Sequence, residues 1–344
     1  MKILENIALA PLTTLGIGGP ARWFVEAANE AEIAEACTWA RERDVPLFVL
    51  GGGSNLLVAD AGFPGLALHV TSQGIELEGE LLRAAAGVAW DDCVVQATKA
   101  GMAGIECLAG IPGTVGGTPV QNVGAYGQEV ASAVERVRAF DRAAQEFVEF
   151  SSAECGFAYR SSRFNTVDRG RFVVTRVDYR LRPGGAPALA YADLKAHFSG
   201  RAKPPSLTEV AEAVRAIRKS KGMLLVEGDP DCRSAGSFFK NPTVAPEFAE
   251  RVRKIAADSG VALRVFPAEG GMTKIPAAWL IEQAGFGKGY ALGAAGISSR
   301  HTLALINRGG ATAAEILALA EKMRAAVEAR FGIRLEMEPE KVGF

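Results

Sequence analysis

Two glycine-rich stretches carry the clearest chemical signal in this sequence. The first, Leu50-Gly-Gly-Gly-Ser-Asn-Leu-Leu57, follows the short apolar run Pro46-Leu-Phe-Val-Leu50. Glycines let backbone N–H groups approach an anion without a Cβ in the way, and several such donors in a row form a nest for phosphate. A Rossmann fingerprint would need a helix directly after the glycines, with its N-terminus facing the pyrophosphate. Here the glycines run into Leu56-Leu-Val58, which reads as a strand, so that reading fails. A plain β-turn remains the simple alternative for one such stretch. The second stretch is Ala109-Gly-Ile-Pro-Gly-Thr-Val-Gly-Gly117, which leads into Pro119-Val-Gln-Asn-Val-Gly-Ala-Tyr-Gly127. Two donor-rich loops suit a long cofactor bearing a diphosphate better than they suit a single phosphate.

Taken with its neighbours, this pattern resembles a known family. Gly-Gly-Gly-Ser-Asn-Leu-Leu, Ala-Gly-Ile-Pro-Gly and Gln-Asn-Val-Gly-Ala-Tyr-Gly look like flavin-binding segments of UDP-N-acetylenolpyruvoylglucosamine reductases. The similarity continues, in the family's order, through Glu154-Cys-Gly-Phe-Ala-Tyr-Arg-Ser-Ser-Arg-Phe164, Tyr191-Ala-Asp-Leu194 and Arg218-Lys-Ser-Lys-Gly222. It ends in Ser234-Ala-Gly-Ser-Phe-Phe-Lys-Asn-Pro242 and Trp279-Leu-Ile-Glu-Gln283. The resemblance implies an α+β protein: a vanillyl-alcohol-oxidase-type FAD domain of two α+β subdomains, residues 1–70 and 71–221. A C-terminal α+β substrate domain, residues 222–344, would carry a catalytic tail. It further implies non-covalent FAD held by Gly51, Gly52, Gly53, Ser54, Asn55, Leu56, Ile111, Pro112, Gly113, Thr114, Gly117, Asn122, Gly124 and Ala125. NADPH would be the hydride donor, and the enolpyruvyl group of a UDP-sugar the acceptor.

That chemistry asks for a carboxylate-binding cation, an electrophile for the enolate-like intermediate and a proton donor. By resemblance these are Arg160, a C-terminal glutamate and Ser237. A guanidinium fork suits a carboxylate and does not titrate away. For the glutamate, anchoring Leu335 and Gly343 without a gap selects Glu338, whereas a shifted match to Glu-Pro-Glu selects Glu340. Strand alternation does not separate them, because Glu336, Glu338 and Glu340 would share one face; Glu338 is the expected residue, because the ungapped register preserves both anchors. Tyr126, Tyr191, Lys221, Asn241 and Gln283 match substrate-binding positions. Read without the resemblance, Ser237 is a turn serine, Arg160 a surface arginine and the three glutamates a solvated tail. A flavin oxidase of the same fold class has no use for the Ser237 motif. A nucleotide-binding module without catalysis leaves Ser237, Arg160 and the glutamate unexplained.

The elements that must position these residues are partly legible. Asn29 and Glu32 read as the start of a capped helix with Ile33, Cys37 and Ala40 along one stripe. A second helix is expected from about Trp90 to Ala100. Strands are expected at Val137–Phe140 and Phe172–Tyr179, and a helix at Leu207–Ser220 with Val210, Val214 and Ile217 inward and Arg215, Arg218 and Lys219 largely outward. Thr312 and Glu315 form a capping box opening a long helix that ends at Gly332, before a strand-like tail, Ile333–Glu338. Loops are expected around Pro183–Pro187 and Gly228–Pro230, and a domain boundary near Lys221.

Composition bounds the rest. Hydrophobic residues make up 49% of the 344 residues and charged residues 22%, a globular balance. Lys and Arg number 38 against 39 Asp and Glu, so no broad basic surface for nucleic acid is expected. No apolar run is long enough to span a bilayer, and the opening residues lack the apolar core of a secretory signal, so a cytoplasmic protein is expected; monomer is the default expectation. Five scattered cysteines and three scattered histidines fit reduced, structural side chains; no metal site is expected.

Overall fold

A computed structural model describes residues 1–344. The first sheet has the order β1 (Leu4–Ala8), β2 (Pro20–Ala27), β5 (Phe63–Val70), β3 (Leu47–Leu50). β1 and β2 are antiparallel, whereas β5 runs parallel to both β2 and β3. Helix α1 (Glu30–Glu42) supplies the crossover between β2 and β3. Its cap is local chemistry: Asn29 Oδ1 accepts from Glu32 N–H at 3.0 Å. Glu32 reaches back as expected but lands on Ala28 N–H, at 2.7 Å. Such a cap is worth about 1 kcal/mol.

β4 (Leu56–Val58), directly after the first glycine loop, does not join that sheet. It pairs in parallel with the C-terminal strand Glu340–Val342. The strand-like tail expected at Ile333–Glu338 is therefore corrected. That stretch makes only an isolated bridge, Met337 to Phe239, and the regular strand begins at Glu340.

The second sheet is wholly antiparallel, with the order Glu146–Ser151, Val134–Asp141, Phe172–Arg180, β7 (Leu81–Ala85), β6 (Ile75–Glu78). Helix α2 (Trp90–Lys99) and the helix Leu207–Ser220 pack beside it. In the C-terminal part, the 19-residue helix Ala313–Phe331 covers the short strands Ala295–Ile297 and Leu305–Asn307. Its capping box and its left-handed Gly332 terminus match the sequence reading.

The apolar residues segregate into distinct cores. One of 43 buried residues runs from Val25 to Val214, uniting α1, both sheets and α2. A second, of 25 residues, is built on the C-terminal helices but also takes in Leu15, Ile17 and Leu57 from the N-terminal part. A third, of seven residues, joins Leu50 and Val58 to Val342. All five cysteines are buried and unpaired. Burial pushes the thiol of Cys37 up to about 11 and those of Cys93, Cys107 and Cys155 up to about 12, so they are inert packing groups. The architecture is α+β, with the seams between the cores meeting at the glycine loops.

Candidate active site

The two glycine loops touch. A Cβ on Gly52 would lie 2.7 Å from Gly113 Cα, one on Gly51 2.6 Å from Thr114 Oγ1, and one on Gly113 2.9 Å from Ser54 Oγ. Only hydrogen at these positions allows the loops to close on each other. Gly53 is excluded from any other identity twice over, by φ of +59° and by the Leu12 carbonyl 1.9 Å from its ideal Cβ. None of the N–H groups of Gly52, Gly53, Ser54, Asn55, Gly113 and Thr114 donates to another backbone group. Half-buried donors of this density call for an external acceptor, and a diphosphate is the acceptor they fit.

These loops floor a cavity of about 1170 Å³. That exceeds the roughly 300–1,000 Å³ of an ordinary small-molecule pocket and leaves room for more than one ligand moiety. Gly51–Leu56, Ile111–Thr114, Gly117, Gly124, Ala125, Tyr126, Arg160, Tyr191, Lys221, Ser237 and Glu338 all line it. Three residues expected at the site do not. Asn122 is buried behind the wall, its amide donating to Glu129 at 2.9 Å and to the Ala158 carbonyl at 3.0 Å. Asn241 accepts from Ala277 N–H at 2.8 Å and so caps the helix Ala277–Gln283, while Gln283 sits at that helix's far end. The Asn122 and Asn241 side chains are engaged in the walls, and none of the three lines the cavity in this structure.

Arg160 stands at the tip of a tight turn closed by paired hydrogen bonds between Ala158 and Ser161. Its φ is +54°, and Tyr126 (+49°) and Asn122 (+46°) are also left-handed. Left-handed backbone at residues with a Cβ is costly and clusters where side chains must be aimed. Arg160 donates to the Gly124 carbonyl at 2.8 Å and faces Glu338, with Nε 3.2 Å from a carboxylate oxygen.

Two partners from opposite ends of the chain hold Glu338. Its N–H donates to the Phe238 carbonyl at 2.9 Å, and its own carbonyl accepts from the Asn55 amide at 3.3 Å. Two residues on, Glu340 N–H donates to the Asn55 carbonyl at 2.9 Å. The Glu338 side chain is only 11% exposed, whereas Glu340 is 44% exposed and pairs with the still more open Arg169, and Glu336 pairs with Lys240. Burial pushes the Glu338 carboxyl above the usual carboxylate range; Arg160, pulling the other way, offsets this only in part.

Ser237 is brought to the same wall by the same ladder. Phe238, the next residue, donates to the Leu303 carbonyl at 2.7 Å while accepting from Glu338, and both Phe238 and Phe239 are fully buried. Gly236, at φ +74°, makes the turn that presents the serine. On the opposite side, Tyr126 and Tyr191 pack edge to face at 5.2 Å between centroids. Lys221 lies 2.5 Å from Asp193 and over the Tyr126 ring. Burial works against the Lys221 charge, and Asp193 together with Tyr126 and Tyr191 more than restores it.

Arg218 corrects the sequence reading. It is 7% exposed, donating to the Gly110 carbonyl at 2.9 Å and to the Met223 carbonyl at 2.6 Å, so it ties the helix to the second glycine loop. The signal was present: position 218 follows Val214 by four and lies on the apolar face of Leu207, Val210 and Ala211. His301 also lines the cavity and was read as a packing residue; its position comes from tertiary structure alone.

Two touching glycine loops able to cradle a diphosphate, beside an arginine, a buried acid and a serine, fit a flavoprotein oxidoreductase. Comparison with known proteins bears on each half of this. Residues 21–151 match the FAD binding domain family, and residues 229–342 match the family described as UDP-N-acetylenolpyruvoylglucosamine reductase, C-terminal domain. The UDP-N-acetylenolpyruvoylglucosamine reductase of Streptomyces coelicolor is 46% identical over 347 residues, covering 99% of this chain and 90% of that one. That of Thermobifida fusca is also 46% identical, covering 98% of each. The crystal structure of the reductase from Thermus caldophilus matches with a TM-score of 0.67 at 28% identity, covering 99% of this chain and 98% of that one. This chain belongs to the UDP-N-acetylenolpyruvoylglucosamine reductase family. It is an FAD-dependent enzyme with the vanillyl-alcohol-oxidase-type fold.

Proposed function

We propose that the protein uses NADPH and FAD to reduce the enolpyruvyl group of UDP-N-acetyl-3-O-(1-carboxyvinyl)glucosamine, giving UDP-N-acetylmuramate for peptidoglycan. One observation carries the reading. Residues as distant in sequence as Arg160, Ser237 and Glu338 converge on the cavity that the glycine loops floor. In this reading residues 1–70 and 71–221 hold the cofactor and residues 222–344 hold substrate. The protein works as a monomer in the cytoplasm; in its support, one chain supplies every wall named above, and no helix is long and apolar enough to cross a membrane.

FAD, when bound, supplies the hydride taken from NADPH. The backbone donors of Gly52–Asn55 and Gly113–Thr114 would hold its diphosphate, with Leu56, Ile111, Pro112, Gly117, Gly124 and Ala125 shaping the surrounding surface. Arg160 fixes the substrate carboxylate, where negative charge grows as the double bond is consumed. Glu338, whose burial makes its carboxyl easier to protonate than an exposed one, would offer an O–H donor to the enolate-like oxygen. Ser237 gives its hydroxyl proton to the carbon next to the carboxylate, completing addition across the bond. Lys221, Tyr126 and Tyr191 line the approach for the UDP portion. Substrate-dependent NADPH oxidation tests the assignment. Turnover with oxygen and a hydroxy acid, but none with the enolpyruvyl sugar, would make the protein an oxidase instead.

A further inference from the structure

We propose that His301 is a phosphate-binding residue of the cavity, neutral in the free protein and proton-accepting when a diphosphate ligand arrives. The proposal rests on the UDP-sugar reading above. His301 belongs to the turn Ser298–Ala304, between the strands Ala295–Ile297 and Leu305–Asn307. Buried Ser298 holds the turn, its Oγ accepting from Arg300 N–H at 3.1 Å and from His301 N–H at 3.2 Å. On one side Arg300 anchors it to the helix that leads to Lys221, donating to the Lys219 carbonyl at 3.1 Å. On the other, the Leu303 carbonyl accepts from Phe238, the residue after Ser237. His301 is thus set between the lysine assigned to the UDP portion and the proton-donor serine.

The ring orientation is specified as well. Nδ1 accepts from Leu303 N–H at 3.1 Å, so the neutral ring carries its proton on Nε2. That N–H is the donor left for a ligand in the cavity that His301 lines. The charged groups around the ring are lopsided. Lys221 and Arg218 face it from the end of the helix Leu207–Ser220, and Lys288 from the turn after Ala277–Gln283. The nearby acids are engaged elsewhere: Asp193 with Lys221, Asp229 and Asp231 with Arg300, Glu282 with the Thr302 hydroxyl. Burial and the three cations push the imidazole down to about 4. A bound diphosphate would cancel that repulsion and accept from the ring, so binding would draw a proton onto His301.

The test uses the FAD-loaded full-length protein and UDP-N-acetylglucosamine, whose diphosphate diester does not titrate between pH 5 and 8. Calorimetry in two buffers of different ionisation enthalpy at pH 5.5 should show proton uptake on binding. The Kd should tighten about 3-fold or more from pH 7.5 to pH 5.5. In His301→Gln, which keeps an amide donor, the uptake should vanish and the Kd should lose that pH dependence. In wild type, the labelled imidazole resonance should titrate about two units higher with ligand than without, a readout that needs no variant. Binding without proton uptake, or uptake unchanged in the glutamine variant, overturns the proposal. No binding of the sugar nucleotide at any pH overturns the UDP-sugar reading itself.

Discussion

Gly52→Ala adds one methyl group at the point where the two glycine loops meet. Its Cβ would lie 2.7 Å from Gly113 Cα and 3.0 Å from Gly113 C, both backbone atoms, so no side chain can rotate away. Ordinary contact begins at 3.4 Å, and one loop must therefore retreat by several tenths of an ångström. Neither is free to do so. Gly113 is held by Trp90 N–H donating to its carbonyl at 3.0 Å, and the first loop by Thr14 N–H donating to the Gly53 carbonyl at 3.1 Å. Overpacking of this kind costs about 1–3 kcal/mol. Because the same loops are the proposed diphosphate cradle, the same energy should appear in cofactor affinity, a loss of about 5- to 150-fold. Gly117→Ala is the control: it too lines the cavity, but nothing in the chain lies within 4 Å of its Cβ. It should leave the melting temperature of the apoprotein unchanged, and any loss of flavin would come from direct obstruction. The readouts are flavin content at 450 nm, FAD titration of apoprotein, and melting with and without FAD. Wild-type FAD affinity and apoprotein stability in Gly52→Ala would refute the claim that the loops close on each other.

Three further outcomes are expected from the proposed roles. Ser237→Ala should still be bleached by NADPH at nearly the normal rate, while reoxidation by the enolpyruvyl sugar falls at least 10²–10⁴-fold, the usual worth of general acid catalysis; rapid-mixing absorbance reads both halves, and equal slowing would mean a structural serine. Arg160→Lys keeps the charge but loses the fork that faces Glu338, so reoxidation should slow markedly, and wild-type turnover would move the carboxylate role elsewhere. Glu340→Gln breaks only an exposed ion pair with Arg169, so it should cost no more than about 1 kcal/mol of stability and leave turnover intact, whereas Glu338→Gln should damage turnover. Because burial raises the Glu338 pKa, its neutral form is populated below that value and lost as pH rises through it. The wild-type rate should therefore fall along that limb and the Gln variant should lack it.

What the sequence determined by itself was local. Asn29, Thr312 and Gly332 mark helix ends because capping is decided within a turn or so of chain. The glycine runs declare donor-rich loops because only glycine permits such backbone. The burial of Arg218 left a local signal too, its place on the apolar face of its helix, although the sequence reading set it outward. Tertiary structure decided which distant backbones meet. Gly52 against Gly113, His301 beside Lys221, and Asn241 spent as a helix cap have no local signature. The glutamate tail shows the limit most clearly. Alternation placed Glu336, Glu338 and Glu340 on one face, on the premise that a single strand keeps a single partner. The chain instead leaves its antiparallel partner Phe239 at Met337 and takes up β4 as a parallel partner at Glu340, passing through Pro339, which has no N–H to give. All three glutamates line the cavity, but that change of sheet within three residues buries the Glu338 side chain and leaves Glu340 far more exposed. Periodicity along one strand cannot register it, because both partners lie far away in the chain.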